Sequence, residues 1–559
     1  MDFKPLPIDI DDFKKLITGG HYFIDKTLLI KNLLDNKAVV NLFARPRRFG
    51  KTLNISMLQY FFEKSSKDNF HLFDNLKIME AGEKYTAHMG QYPVINISLK
   101  SAKQASFELA YVSIVRRIAE EFKRHQYILD SGKLEVEKER YLKIVKEQGE
   151  EGDYIDSLYY LCECLRKYHE KKVIILIDEY DVPLENAFFE GFYDRMIKFI
   201  RSLFESALKT DSSLEFAVIA GCLGISREDA FNGLSNLNTI SILNEYCDEY
   251  FGFTKAEVNK MIGEYGFIER EELIKNWYNG YIFGNTQLYN PWSVVQFVHE
   301  LYKNKEASPV SYLENTGMSS AVKILIERAD ATVKREMELL IEGKIIEKLI
   351  YDGITYAEVY DTLDNLWNFM FFSGYLKKVN ERIDEINQKY LMLEITNEDI
   401  KCMIKTEVLK WFHDKVKARD FSGMYNAIIS GDAESFENEL GKLLIETISF
   451  NDAYENFYHG FVIESLTNMN DYIIKSNREG GSGRSDLFIK SVSLRGIAIV
   501  IKFKVAKNID ELEEKAEEAI KQIENKGYDM ELRSEGYKNV IKYGISFYQK
   551  DCLIKLKKE

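Results

Sequence analysis

At 559 residues the chain exceeds what one hydrophobic core ordinarily serves, so roughly two to four domains are expected. Its 45% hydrophobic and 13% aromatic content supplies ample core material, while a net charge of −14 argues against nucleic-acid binding over the whole surface, because neutralising phosphates takes lysine and arginine. No apolar run approaches the ~20 residues that span a bilayer, and the opening MDFKPLPIDIDDF lacks a signal-peptide pattern, so a cytoplasmic protein without a membrane partner is expected.

The first informative stretch runs from Ala38 to Phe62. Val39, Val40, Leu42 and Phe43 read as a buried strand, and Leu53, Met57, Leu58, Phe61 and Phe62 recur at helical spacing. Between them lies the basic turn Arg45-Pro46-Arg47-Arg48-Phe49, followed by Gly50-Lys51-Thr52. A strand, turn and helix in this order aim first-turn N–H groups and the positive end of the helix dipole at an anion. Lys51 would then reach the β and γ phosphates of a nucleotide, and the Thr52 hydroxyl would ligate magnesium. Arg45 stands where a phosphate loop normally carries glycine; arginine tolerates positive φ poorly, so the loop must turn differently. The bland alternative is a basic helix start at a domain surface.

Further along, PVINISL at 93–99 is a candidate strand, and Gly132 to Tyr154 is a charged surface excursion. VIILIDEYD at 173–181 is an apolar run ending in carboxylates. Continuous hydrophobicity suits a central parallel strand, and ligands sit at the carboxyl ends of such strands. Asp178 is placed to hold the water shell of magnesium and Glu179 to polarise an attacking water, whereas the bland reading makes them solvated strand-capping acids. Phe216 to Ala220, followed by GCLGI, fits a neighbouring strand. Four short apolar strands separated by helical segments indicate a three-layer α/β core, taken here as residues 1–250.

From Tyr250 to Pro291, YFGFTKAEV, WYNGYIFG and YNPWSVV mix aromatics with glycine, asparagine and proline, the makings of ring-packed turns. They read first as an aromatic core and second as a ligand-contacting surface. Residues 251–450 are expected to be mainly helical, with LWNFMFFSGYL buried and a linker near Ser430-Gly431-Asp432. The six cysteines and eight histidines show no metal spacing and no disulfide frame.

The last domain, 451–559, reads as a helix from Tyr454 to Met469, a strand at 471–475, the turn NREGGSG, a strand containing Asp486, the long strand GIAIVIKFKV, a Glu- and Lys-rich helix from Asp510 to Asn525, and two closing strands. From Arg484 to Glu559 it carries 16 Lys and Arg against 13 Asp and Glu, a mildly basic balance of +3. Asp486 beside a strand that puts residues 502 and 504 on one face has the geometry of a metal-dependent phosphodiesterase site. Such a site needs two carboxylates and a lysine; Lys504 is present, but the second position is Lys502. A positive charge there is worth about 1 to 4 kcal/mol against a cation ~4 Å away. Metal affinity is therefore expected to be reduced unless Glu464, on the preceding helix, supplies a ligand.

RPRRFGKT, IDEYDVPL, GCLGISREDAFNGLSNLN, WYNGYIFG with YNPWSV, and GRSDLFI with IKFKV together resemble a prokaryotic family that joins an AAA-ATPase-like domain to a C-terminal PD-(D/E)XK nuclease-superfamily domain. The likeness is ordered across roughly residues 5 to 555. It implies an α/β fold: a P-loop NTPase three-layer core, a helical middle region and a C-terminal α/β restriction-endonuclease-like domain. It implies ATP and Mg2+ as cofactors, with nucleotide contacts at Gly50, Lys51 and Thr52 in a loop to which Arg45 and Arg48 contribute, and metal or hydrolytic roles at Asp178 and Glu179. Asp486 is implied as a metal ligand and, with Lys504, as catalytic. DNA is the implied partner of the C-terminal domain, and an oligomer is compatible. Two departures remove charges: Gly224 replaces an arginine suited to sensing the γ phosphate, and Lys502 replaces a glutamate. Either a nucleotide-switched DNA-cleaving enzyme, with defence against mobile DNA as one role for it, or an ATP-ordered scaffold with an inactive nuclease fold that binds nucleic acid or a protein partner is expected.

Overall fold

The computed structural model describes residues 3–65, 69–209, 212–222, 230–231, 233–313, 331–351, 358, 362, 364–417, 420–445, 455–466, 469, 471–478 and 485–558. Gly224, most of the NREGGSG turn, and the side chains of Glu464 and Asp486 lie outside the described residues. The chain divides into two compact units, one of Met1–Arg328 with Ile345–Met403 and one of Ala329–Lys344 with Ile404–Glu559.

In the first unit, β1 (Val40–Ala44), β2 (Val94–Ser98), β3 (Val173–Asp178), β4 (Leu214–Gly221) and β5 (Leu237–Ile240) form a sheet in the order β2-β3-β4-β1-β5. Every neighbouring pair is parallel. The four apolar runs read from the sequence are the first four of these strands; LNTI, with two polar residues in four, gave no comparable signal for β5. All six residues of β3 are buried, as an apolar run covered on both faces requires. The Lys51–Phe62 helix packs on β2, β3 and β4, while Ser157–His169 meets β3 and Tyr193–Leu208 meets β4. Each fully buried Leu, Ile, Val or Phe in these layers contributes about 1.5–3 kcal/mol.

The same unit continues with β6 (Phe253–Thr254), β7 (Tyr281–Phe283) and β8 (Thr286–Tyr289), ordered β6-β8-β7, and with β9 (Ile346–Leu349), β10 (Leu376–Ile383) and β11 (Lys389–Ile395), ordered β10-β11-β9. Thus the middle stretch, mainly helical in its sequence pattern, also carries two antiparallel sheets. KYLMLEI buries alternate residues, Leu391 and Leu393, which is a strand period of two inside a region whose longer segments repeat at helical spacing. The LWNFMFF run is a buried helix, Asp364–Phe372. Val258, Met261, Tyr265, Tyr278, Tyr289, Phe297 and their neighbours form a separate core, so much of the aromatic stretch is indeed ring-packed interior.

The second unit is built on β12 (Tyr472–Arg478), β13 (Ser485–Ser491), β14 (Ile497–Val505), β15 (Asn539–Tyr548) and β16 (Asp551–Lys558), neighbours in that order. Only the β14–β15 pair is parallel. One face buries Leu487, Ile489, Ile501, Phe503, Tyr543 and Phe547 with residues of three helices, Ser422–Ser430, Ala433–Ile445 and Glu455–Leu466. On the opposite face lies the Leu512–Lys526 helix, which comes so close to β15 that a Cβ on Gly544 would stand 2.3 Å from the Ala516 carbonyl oxygen. Only glycine permits that contact.

Candidate functional site

β1 ends at Ala44, and the loop that follows reverses through two left-handed residues, Arg48 at φ 68° and Gly50 at φ 77°, the latter capping the Lys51–Phe62 helix. Arg45 is absent from the positive-φ positions, which explains how arginine is tolerated there. The turn has moved to the other end of the loop. Lys51 is buried, and its ammonium donates to the carbonyls of Arg45 at 3.0 Å and Pro46 at 2.9 Å and to Cys222 Sγ at 3.3 Å. The lysine is thereby held under the loop at the start of the helix.

Adjacent to it, the Thr52 hydroxyl donates to Asp178 Oδ2 at 2.7 Å, and the Glu179 N–H donates to Oδ1 at 3.1 Å. This contact joins the loop after β1 to the carboxyl end of β3, although β4 lies between those strands. Burial pushes the Asp178 carboxyl up to about 6, with the Thr52 hydrogen bond opposing the rise and the neighbouring Glu179 charge adding to it. Glu179 itself sits at φ 52°, a conformation that costs a non-glycine residue about 1–3 kcal/mol and concentrates at functional sites.

Lys51, Thr52 and Glu179 open on a cavity of about 890 Å³ whose walls also include Arg47, Arg48, Gly50, Asp181, Glu185 and Cys222, while Asp178 lies buried behind Thr52 and does not line it. Its size falls within the range of small-ligand and cofactor sites. Arg45 is placed elsewhere. It is fully buried, donates through Nη1 to the carbonyls of Ala44 and Ile240, and stacks over Phe251 and Phe283 with its guanidinium carbon 5.4 and 5.2 Å from the ring centres. In this geometry Arg45 pins the loop to β5 and to the β6–β8 region and does not line the cavity. Burial lowers its guanidinium to about 10, leaving it charged at neutral pH.

Four members of the wall near Lys51, namely Asp181, Cys222, Arg47 and Glu185, were given no role by the sequence reading. Asp181, two residues beyond Glu179, accepts the Cys222 N–H at 2.8 Å; the IDEYD run was its only signal. Cys222 directly follows β4. Arg47 pairs with Glu185 at 2.9 Å across 138 residues of sequence, a contact that no local pattern announces.

A magnesium ion suits this donor set. One carboxylate beside one hydroxyl matches an ion that keeps several waters and takes its remaining ligands from substrate phosphates. Among the described residues no three histidine, cysteine, aspartate or glutamate side chains gather as an all-protein metal cage.

In the second unit, register sets Asp486 opposite Lys502 across β13 and β14, and Lys502 opposite Gly544 across β14 and β15. Lys504 shares that face by the strand period. Lys502 is buried beneath the helix-covered side, where Lys542 is buried as well and lies 3.6 Å from Glu524. The Glu455–Leu466 helix packs on the other face through Phe461 and Val462. Register thus sets a lysine opposite Asp486 on this strand pair, and among the described residues, which do not include the side chains of Asp486 and Glu464, no three histidine, cysteine, aspartate or glutamate side chains gather there.

Residues 7–231 match the AAA-ATPase-like family, described as a predicted AAA-ATPase, and residues 453–557 match the PD-(D/E)XK nuclease superfamily. The chain joins an AAA-ATPase-like domain to a PD-(D/E)XK nuclease-superfamily domain. It is also 24% identical over 558 residues to an uncharacterized protein in the vnfD 5′ region of Azotobacter chroococcum mcd 1, a likeness that covers 96% of this chain and 95% of that protein. The AAA-ATPase-like match includes the whole parallel sheet up to β4 and both halves of the Lys51–Asp178 site. The nuclease-superfamily match includes β12 to β15 and nearly all of β16. No described helix is long and apolar enough to cross a membrane.

One pH effect follows directly from the buried aspartate. Its folded-state carboxyl, at about 6 against an ordinary 3.8, retains a proton that the unfolded chain has released, so its contribution to stability declines as pH rises through that interval. Coordination of a cation needs the deprotonated form and has the opposite sign. The thermal stabilisation produced by ATP and magnesium should therefore grow between about pH 5 and about pH 7. Measured in parallel, Asp178→Asn should show a smaller shift with a flatter pH profile; an identical profile in both proteins would remove Asp178 from the site.

Proposed function

We propose that the AAA-ATPase-like domain binds ATP with magnesium and hydrolyses it, and that its nucleotide state governs a nuclease-fold domain that engages DNA. The observation that carries this reading is the 2.7 Å contact by which Thr52, on the wall of a ligand-sized cavity beside the buried Lys51, reaches the buried Asp178 behind it. Lys51 and the N–H groups of the first helical turn hold the phosphates. Thr52 and Asp178 hold the cation, which when bound neutralises phosphate charge and orients the terminal phosphoryl group. Glu179 orients and deprotonates the attacking water, with Arg47 and Arg48 beside it on the same cavity.

A second reading applies to the nuclease-fold half: Lys502, buried opposite Asp486, favours a domain that grips DNA or a protein partner without cutting. The combination would suit an ATP-controlled device acting against mobile DNA in the cytoplasm. Glu179→Gln is the test. It should retain ATP binding while hydrolysis falls by about 100-fold or more. Addition of DNA to the wild-type protein should change the hydrolysis rate. Unaltered hydrolysis in the variant would displace Glu179 as the base, and a wild-type protein that binds ATP without hydrolysing it would leave the scaffold reading.

A further inference from the structure

The cavity has two chemically different ends. Charged residues, Lys51, Glu179, Asp181 and Glu185 among them, line the end near β3 and β4. The remainder of its wall carries the apolar and aromatic groups Ile10, Tyr22, Ile24, Tyr250, Phe253 and Trp292, with Asp9, Asp11 and Lys26 among them. Two contacts of the loop and helix start relate these ends: Thr52 reaches Asp178 at the end of β3, while Arg48 on the same loop lies over Trp292. A phosphate chain whose terminal group faces Thr52 and Glu179 therefore leaves the rest of its nucleotide pointing toward the aromatic end.

We infer that this end, with Trp292, Tyr22 and Phe253 as its principal surfaces, is the seat of the nucleotide's aromatic base. The inference rests on the phosphate reading given above and adds what the other half of the ligand touches. Tyr22, Phe253 and Trp292 are only half-buried, so their rings keep surface for a ligand to cover. Arg48 lies over the Trp292 ring at 4.4 Å and so connects the phosphate loop to the aromatic wall.

The wall is also held in place. Lys26, just past Ile24, is buried and pairs with Glu257 at 2.7 Å while donating to the Glu249 carbonyl at 2.7 Å. Glu257 in turn completes a capping box with Thr254, next to Phe253. The Tyr22 N–H donates to the Pro5 carbonyl at 2.9 Å, and its ring packs on Tyr265 at 5.5 Å. Stacking on such preordered rings accepts any heteroaromatic base, since each presents a π face.

Binding of ATP and of inorganic tripolyphosphate, each with magnesium, to the full-length protein separates the two halves of the site. The wild type should bind ATP more tightly than tripolyphosphate. Trp292→Ala and Tyr22→Ala should each weaken ATP by about tenfold and leave tripolyphosphate unchanged, with Trp292→Phe retaining most of the ATP affinity. Undiminished ATP affinity in both alanine variants would overturn the base seat while leaving the phosphate site intact, and equal weakening of both ligands would overturn it too. Failure of the wild type to bind either ligand would remove the phosphate reading and the base seat together.

Discussion

Replacing Lys51 with alanine is expected to abolish the rise in melting temperature that ATP and magnesium produce in the wild-type protein. A ligand present at about 100 times its dissociation constant stabilises the folded state by about 2.7 kcal/mol, on the order of 5 °C or more for a domain of this kind. Lys51 is the buried cation at the head of the Lys51–Phe62 helix, and charge-assisted hydrogen bonds to phosphate are individually worth about 1.5–3 kcal/mol. The variant also loses the bonds to the Arg45 and Pro46 carbonyls. Its unliganded melting temperature should therefore fall as well, so the quantity to compare is the ligand-induced shift. A shift in Lys51→Ala equal to that of the wild type would remove the phosphate-loop assignment.

The second large effect concerns the nuclease-fold domain. Incubated with DNA and magnesium or manganese, the wild-type protein should show little cleavage, and Lys502→Glu should raise it. Register places position 502 opposite Asp486, so the substitution replaces a cation beside the expected metal position by a second carboxylate. That reverses an electrostatic contribution of about 1 to 4 kcal/mol at ~4 Å. Lys502 is buried, so the glutamate pays a desolvation cost that cation binding must offset. Adding Asp486→Ala to the Lys502→Glu protein should return cleavage to the starting level. Robust wild-type cutting that disappears in Asp486→Ala alone would overturn the inactive-site reading.

Much of the candidate site was legible because its chemistry is local. Gly50, Lys51 and Thr52 are consecutive, and Asp178 and Glu179 end a strand whose unbroken apolar run identifies it as central. That Lys502 and Lys504 share one face of a strand beside that of Asp486 was legible for a similar reason, the strand period of two, whereas the register that sets Asp486 opposite Lys502 came from the structure. Glu185 was not legible, since its partner Arg47 lies 138 residues away. The aromatic run from Tyr250 to Pro291 gave two readings, core or ligand-contacting surface: Tyr265, Tyr278 and Tyr289 are core, whereas Tyr250 and Phe253 line the cavity. Composition cannot separate them, because a ring serves either purpose.

By itself, the sequence determined the strand that carries each candidate group, the helix that starts at Lys51, and the charge change at position 502, all consequences of hydrophobic period and residue chemistry within short windows. Tertiary structure alone decided that β4 would stand between β1 and β3 while Thr52 still reaches Asp178, that Arg45 would be withdrawn between Phe251 and Phe283, and that Gly544 would admit a helix backbone. Those outcomes depend on which surfaces meet across long sequence separations, and only close packing of the whole unit selects them.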